Sequence, residues 1–142
     1  LEHEGTIDKF SGDGIMAWFN APITQPDHPL QAVRAALSLR DSIKDLHAAL
    51  PESFHMGYGI GIHGGESVLG LIGTEKRWDY TAIGDSVNTA KRIQENAMEN
   101  QILISKSTYE QVKHKIVARA LQSIQVKGKS QPIEIFEVIG EK

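Results

Sequence analysis

The sequence contains no cysteine in its 142 residues, which excludes disulfide bonds, zinc–thiolate sites and a thiol nucleophile. No apolar run approaches the length of a transmembrane helix, and no signal peptide is recognisable. The formal net charge is only -3, so we do not expect a broad basic face that binds nucleic acid. The lack of cysteine fits a reducing compartment, and we therefore expect a cytoplasmic location.

What the sequence does contain is typical of one soluble domain. Hydrophobic residues make up 40% and charged residues 23% of the chain, and a chain of 142 residues is long enough to bury a sizeable core. The chain begins at Leu1 without an initiator methionine, and residues 1–5 are typical of the last turn of a helix closed by a glycine. We therefore expect residues 1–142 to form a single domain that begins further upstream.

The segment from Gly5 to Phe19 has two short apolar runs on either side of the polar sequence Ser-Gly-Asp-Gly at 11–14. Glycines on both sides of Asp13 allow positive φ, so we predict a β-hairpin with Asp13 at its tip. A rigidly held carboxylate in this position can bind a hard cation. Because turns also use aspartate and glycine for structural reasons alone, both interpretations stay open for this segment.

Two longer segments have the apolar periodicity of helices. In the first, which runs from Leu30 to Leu50, the residues expected to be buried are Val33, Ala36, Leu39, Ile43, Leu46 and Leu50. In the second, which runs from Ser86 to about Met98, they are Val87, Ala90, Ile93 and Ala97. Asn88 and Arg92 are four residues apart and share another face of this second helix. They are either two solvated polar residues or a functional pair.

The remaining pattern is that of strands and short connections. Residues 55–63 alternate between bulky residues and glycines and end at His63, which predicts a strand with one nearly bare face that a helix, a ligand or a second chain can approach. We further expect strands over 67–72, 79–83 and 100–105, a basic loop over 73–78, a helix over 105–113, and a C-terminal hairpin formed by 122–126 and 133–139. This mixture indicates an α+β fold with a mainly antiparallel sheet and the helices on one side of it.

Three segments together resemble the catalytic domain of the class III nucleotidyl cyclases, the family that includes adenylyl and guanylyl cyclases. Residues 5–17 resemble the second metal-binding segment of that family, residues 78–93 its transition-state segment, and residues 125–130 its phosphate-contacting loop. The likeness runs in the family's order along the whole chain. It implies a ferredoxin-like α+β fold whose first strand and following helices lie upstream of Leu1.

The resemblance implies a reaction in which the ribose 3′-hydroxyl of a nucleoside triphosphate attacks its own α-phosphate and expels pyrophosphate. Two divalent ions, Mg²⁺ or Mn²⁺, assist such a displacement. By similarity, Asp13 is one of two shared metal carboxylates, and Ile7 or its neighbourhood lends a backbone carbonyl. Arg92 stabilises the charge of the transition state, Asn88 orients the ribose and Lys127 binds the terminal phosphates.

The resemblance also implies a choice of base. Adenylyl cyclases of this family have lysine where this chain has Lys9, and guanylyl cyclases have glutamate there. A lysine can donate to adenine N1 but offers no acceptor for the N1–H group of guanine. The second base-contact position often carries aspartate, and Thr81 in that position is typical of a bacterial subgroup, some of whose members respond to bicarbonate. We therefore expect ATP as the substrate and cyclic AMP as the product.

Because this family places its active sites at a dimer interface, the resemblance implies a homodimer in which Asp13 of one protomer works with Lys9, Thr81, Asn88 and Arg92 of the other. The other metal aspartate is expected upstream of Leu1, so we expect the chain as it stands to be inactive or nearly so. An upstream-extended chain is expected to make cyclic AMP. An upstream sensor or regulatory domain is the expected partner, and the parent protein is either cytoplasmic or anchored to a membrane with this domain in the cytoplasm.

Other functions stay open at this point. A guanylyl cyclase is disfavoured by Lys9, and a non-catalytic cyclase-like module that binds a nucleotide or a partner has no need to keep Asp13, Asn88, Arg92 and Lys127. A ferredoxin-like domain with no role in nucleotide chemistry is the remaining alternative, because a fold alone does not define a function.

Overall fold

The computed structural model describes residues 6–11, 14–19, 26–55, 57–64, 68–74, 77–83, 85–125 and 131–142. The elements in chain order are β1 (Thr6–Ser11), β2 (Gly14–Trp18), α1 (His28–Ala48), β3 (Gly59–Ile62), β4 (Val68–Thr74), β5 (Arg77–Ile83), α2 (Asp85–Glu95), β6 (Gln101–Ser105), α3 (Lys106–Val112), β7 (Ile116–Ala120) and β8 (Ile135–Glu141). One 3-10 turn, Glu52–Phe54, separates α1 from β3. For β1, β2, β4 and β5 only the backbone is described.

The main sheet has four strands in the order β3-β6-β8-β7. β3 and β6 are parallel, and β8 is antiparallel to both β6 and β7. β1 with β2 and β4 with β5 form two antiparallel hairpins. This mixture of strands and three helices confirms the α+β fold that the sequence predicts.

The helices lie on both faces of the main sheet, and the expectation that they lie on one side is wrong. Ile102 and Ile104 of β6 belong to the core that α1 and α3 cover, whereas Leu103 between them belongs to a second core with Ile93 of α2. Successive side chains of a strand point to opposite faces. The consecutive apolar residues of β6 are therefore explained by its central position, because a strand covered on both faces has no polar side.

Helix α1 buries only the first part of the predicted stripe, in which Val33 and Ala36 are buried as expected. Its buried residues are Leu30, Val33, Ala36 and Leu37. By contrast, Leu39, Leu46 and Leu50 are exposed, with 47%, 51% and 38% of their surface accessible. A helix of 21 residues is about 31 Å long, whereas strands of four to seven residues span about 13–23 Å. Only the N-terminal half of α1 is therefore buried against the sheet.

Two connections also differ from the prediction. Of the predicted loop 73–78, residues 73–74 and 77–78 belong to the paired strands β4 and β5, and residues 75–76 lie outside the described residues. The C-terminal hairpin is formed by β7 and β8, and of the predicted strand over 122–126 only the isolated bridge between Ile124 and Ile133 is observed. Residues 126–130 lie outside the described part of the chain. Within the described residues, no helix combines the length and the apolar character needed to span a membrane.

Candidate functional site

The glycine face of β3 determines where α2 lies. A Cβ atom added to Gly61 would be 2.4 Å from the backbone nitrogen of Gln94 and 2.6 Å from the carbonyl oxygen of Ala90. A Cβ atom added to Gly59 would be 2.9 Å from Cβ of Ala97. The backbone of α2 therefore rests directly on the backbone of β3, and the predicted bare face is occupied by a helix of the same chain.

The face of α2 that points away from this contact carries the two polar residues singled out in the sequence. Thr89 and Ile93 are buried, and Ile93 has no accessible surface. Asn88 and Arg92 are exposed, and each lies directly before one of these two buried residues in the sequence. Because they are four residues apart, their side chains lie one turn apart on the same outer surface of the helix. The structure thus brings Asn88 and Arg92 together on a surface that a ligand can reach.

Within the described part of the chain, Arg92 is hydrogen-bonded to residues at and directly after the C-terminal end of its own helix. Its Nη1 atom donates to Oε1 of Glu95 at 2.7 Å. Asn96 donates through Nδ2 to the carbonyl oxygen of Arg92 at 2.8 Å. The sequence interpretation did not single out Glu95, although the i,i+3 spacing of the two residues was visible in the sequence.

The strand that carries Lys9 and Ile7 contains an irregularity next to Lys9. Ile7 is opposite Ala17 and Phe10 is opposite Ile15, so the register between β1 and β2 shifts by one residue between these pairs. Two residues of β1, including Lys9, therefore face one residue of β2. This is the arrangement of a β-bulge, a feature that is over-represented next to active sites, where it redirects a side chain.

The other predicted site residues lie on neighbouring elements or outside the described part of the chain. Thr81 on β5 pairs with Gly70 on β4. Cα atoms of β1 and β5 approach within 8 Å, and the same is true of α2 and β5. Lys9, Thr81 and the exposed pair on α2 are thus carried by adjacent elements of one chain. The predicted hairpin is confirmed by the pairing of β1 with β2, but Asp13 and Lys127 themselves lie outside the described residues.

No cluster of three or more histidine, aspartate or glutamate side chains that could hold a metal is present in the part of the chain that the structure describes. The predicted donors are Asp13, which lies outside that part, and the backbone carbonyl of Ile7. A carboxylate and a carbonyl are the oxygen donors that hard divalent cations take. The donor set is therefore of the right chemical kind, and it needs a further carboxylate to hold two ions.

A partly buried polar network that the sequence interpretation missed joins the ends of β3 and β6. His63 Nδ1 and Ser105 Oγ share a hydrogen bond of 2.9 Å, and Ser105 Oγ lies 3.2 Å from Oγ1 of Thr108. The backbone N–H of Gly64 donates to Oγ1 of Thr108 at 3.2 Å. Ser105 was predicted as a helix cap, and it does occupy the N-cap of α3. Its side chain makes no cap hydrogen bond there and serves the network instead.

Comparisons with known proteins agree with this fold. Adenylate cyclase 1 of Rhizobium meliloti is 35% identical over 97% of this chain, and the match covers 21% of that protein. The crystal structure of the adenylyl cyclase CyaB from P. aeruginosa superposes with a TM-score of 0.92 at 35% identity and covers all of this chain and 75% of that one. The crystal structure of the guanylyl cyclase Cya2 gives a TM-score of 0.84 at 37% identity, covering 99% of this chain and 73% of that one.

The chain spans about a fifth of the length of Adenylate cyclase 1 of Rhizobium meliloti. The family described as the adenylate and guanylate cyclase catalytic domain matches residues 6–140, nearly the whole chain. The match includes β1, β5 and α2, which carry Lys9, Thr81, Asn88 and Arg92. The chain therefore belongs to the family of adenylate and guanylate cyclase catalytic domains.

Proposed function

We propose that this chain is the catalytic domain of an adenylyl cyclase, which converts ATP to 3′,5′-cyclic AMP and pyrophosphate in signalling. The family membership supports nucleotide cyclisation, and the named relatives from Rhizobium meliloti and P. aeruginosa are adenylate cyclases. The single observation that carries the proposal is the exposed pair on α2. Asn88 and Arg92 lie one turn apart, on a helix whose position is set by its contact with Gly61.

The chemistry of the two side chains fits the reaction. Attack of the 3′-hydroxyl on the α-phosphate concentrates negative charge on the phosphate oxygens, and a guanidinium can neutralise it with two parallel hydrogen bonds. Arg92 supplies that group. The amide of Asn88 carries both a donor and an acceptor, which suits it to orient a ribose one helical turn away. Lys127 is proposed to bind the terminal phosphates that leave as pyrophosphate.

The proposed choice of ATP depends on Lys9 and Thr81. The ammonium of Lys9 donates to N1 of adenine and has nothing to accept the N1–H of guanine. The hydroxyl of Thr81 serves as the second base contact. The proximity of β1 and β5 in one chain supports a base pocket that uses both residues.

The proposed metal site uses Asp13 and the backbone carbonyl of Ile7, with Mg²⁺ or Mn²⁺ as the ion. Two such ions, when bound, favour the deprotonated 3′-hydroxyl and neutralise phosphate charge. In the proposed homodimer, Asp13 of one protomer serves the nucleotide that Lys9, Thr81 and the α2 pair of its partner bind. Each dimer would then have two equivalent sites.

The proposed setting is a larger signalling protein in the cytoplasm, with a sensor or regulatory region outside this domain. The named relative from Rhizobium meliloti is almost five times as long as the matched region, which leaves room for such a region. The alternative parent is a protein anchored in a membrane with this domain on the cytoplasmic side.

A second candidate function, guanylyl cyclase, is favoured by one specific observation. The guanylyl cyclase Cya2 is 37% identical to this chain, slightly more than the 35% of the adenylyl cyclase CyaB. Overall identity therefore does not separate the two substrates. The proposal of ATP therefore depends on residue 9, which is lysine here and is the position proposed to contact the base.

The experiment that tests the function measures cyclic AMP and cyclic GMP made by the complete natural protein, with Mg²⁺ and with Mn²⁺. We expect cyclic AMP, and we expect Arg92→Ala to lower kcat by about 10²–10³-fold. The matched control is Lys113→Ala, which removes another exposed cation that pairs with a glutamate over three residues, at Glu110 on α3. Unchanged cyclic AMP output in Arg92→Ala would favour the non-catalytic module, and cyclic GMP as the main product would favour the guanylyl cyclase.

A further inference from the structure

The proposed transition-state arginine carries a counter-ion of its own. Arg92 Nη1 lies 2.7 Å from Oε1 of Glu95, with 53% and 46% of the two side chains accessible. Asn88, which is proposed to contact the same nucleotide as Arg92, lies one turn toward the N-terminus of α2. Glu95 lies on the other side of Arg92, as the last residue of the helix. The guanidinium is thus held by a carboxylate on the side away from Asn88.

Helix stability does not explain a glutamate in this position. The C-terminal end of a helix carries a partial negative charge, which disfavours a carboxylate there. An ion pair with the acidic residue on the C-terminal side is also the less favourable orientation along a helix. Within the described residues, the Glu95 carboxylate accepts a hydrogen bond from Arg92. Its place in the helix is therefore best explained by its effect on that arginine.

A carboxylate and a phosphate compete for the same guanidinium. While one N–H of Nη1 donates to Glu95, that donor is not available to a phosphate oxygen, and the carboxylate offsets part of the positive charge of the guanidinium. A polyphosphate that approaches the remaining edge of the guanidinium also meets the negative charge of Glu95. Contact between Arg92 and the reacting phosphate is therefore opposed as long as the pair is closed.

We propose that Glu95 is a positioning residue that competes with the nucleotide phosphate for Arg92. It holds the guanidinium when no nucleotide is bound, and the developing charge on the α-phosphate displaces it during the reaction. This inference rests on the proposed function, because it takes Arg92 as the group that meets the phosphate. Beyond the proposed function, it assigns Glu95 a role in restraining the activity through Arg92, without direct contact with the substrate.

The expected effect is a gain of activity when the charge of Glu95 is removed. Both side chains are about half exposed, and exposed ion pairs contribute little, so Glu95→Gln should raise kcat by roughly two- to fivefold. The KM for the magnesium complex of ATP should change less than kcat, because Arg92 is proposed to act on charge that develops only in the transition state. Salt screens the attraction between exposed charges. The ratio of kcat between Glu95→Gln and the unmodified protein should therefore approach one at high ionic strength.

The test compares kcat and KM of the complete natural protein and three variants at low and high salt. Glu95→Gln removes the charge, and Glu95→Asp keeps it and should stay close to the unmodified protein. Glu110→Gln is the matched control. Glu110 pairs with Lys113 at 2.8 Å over the same i,i+3 spacing on α3, with a similar accessible fraction of 48%, and it is expected to leave the kinetics unchanged.

The outcomes separate this inference from the proposed function. If the unmodified protein makes cyclic AMP and Glu95→Gln is faster at low salt while Glu95→Asp and Glu110→Gln are not, the inference is supported. If the protein makes cyclic AMP but Glu95→Gln matches it or is slower, only the role of Glu95 is overturned. If the protein makes no cyclic nucleotide under any condition, the proposed function fails and the role of Glu95 fails with it.

Discussion

Gly61 of β3 and Ala90 of α2 are in backbone-to-backbone contact, since a Cβ atom on Gly61 would lie 2.6 Å from the carbonyl oxygen of Ala90. The backbone nitrogen of Gln94 is closer still, at 2.4 Å. Neither atom belongs to a flexible side chain that could move aside. The glycine in β3 therefore determines the height at which α2, and with it Asn88 and Arg92, sits above the sheet.

We predict that Gly61→Ala destabilises the domain and impairs the site. The methyl group must push α2 away from β3, which should cost about 1–3 kcal/mol, as overpacking does in other cores. A displaced helix also misplaces Asn88 and Arg92, so kcat should fall on the order of tenfold or more. Calorimetry and a cyclic AMP assay measure the two effects. The control is Gly140→Ala, because no atom of the described residues lies within 4 Å of a Cβ atom there, and equal behaviour of the two variants would contradict the prediction.

Two buried threonines should respond oppositely to substitution by valine. Thr89 Oγ1 is buried and has no hydrogen-bond partner in the described structure, so Thr89→Val should raise the free energy of unfolding by about 1 kcal/mol. Thr108 accepts from the backbone N–H of Gly64, and Thr108→Val should lower it by about 1–3 kcal/mol because that N–H is left unsatisfied. Calorimetric unfolding of the two variants checks the prediction, and a stability loss in Thr89→Val would show that its hydroxyl has a partner.

We predict that Lys9→Glu changes the preferred nucleotide. A glutamate accepts from the N1–H of guanine and repels the lone pair of adenine N1. Loss of a hydrogen bond from a charged group should lower kcat/KM for ATP by roughly 10- to 100-fold, and turnover of GTP should rise relative to that of ATP. Competition assays with both nucleotides measure the ratio. Lys44→Glu makes the same charge change at an exposed position of α1, and a similar shift in that control would mean that net charge, not base contact, is responsible.

We predict that activity requires a divalent ion held by Asp13. Chelation of divalent ions should abolish cyclic AMP formation, and excess Mg²⁺ or Mn²⁺ should restore it. Asp13→Asn should lower kcat by about two orders of magnitude or more, since the amide oxygen carries no charge to hold the ion. Asp41→Asn removes an exposed carboxylate of α1 and should be without effect. Full activity of Asp13→Asn at limiting metal would place the metal site elsewhere.

The parts of the fold that depend on local patterns were predictable from the sequence. The hairpin β1–β2 follows from its glycines, and the two faces of α2 follow from the spacing of Ile93 relative to Asn88 and Arg92. The parallel pairing of β3 with β6 was not predictable, because residues 63–100 lie between the two strands. For the same reason the sequence did not reveal that α2 lies on the face opposite α1.

The errors in α1 and in the candidate site have the same kind of physical cause. Periodicity identifies a helix, but a long amphipathic segment contains more than one apolar stripe. Packing against the sheet buries the stripe that contains Leu37, whereas Leu39 lies on another face of the helix and Leu46 near its C-terminal end, and both are exposed. In the site, the order of Arg92 and Glu95 along the helix was visible, but the direction in which the guanidinium points depends on side-chain rotamers. The roles of Asp13, Lys9, Thr81 and Lys127 remain predictions that the variants above address.

The crossover between the parallel strands β3 and β6 has a consequence for how such domains diversify. It contains the whole hairpin β4–β5 as well as α2, and both of its ends are fixed by adjacent strands of one sheet. Lengthening a connection of this size adds little closure entropy. Insertions or deletions in the connections that flank the hairpin should therefore cost such a domain little stability, whereas the contact between α2 and β3 leaves no room for a side chain at Gly61.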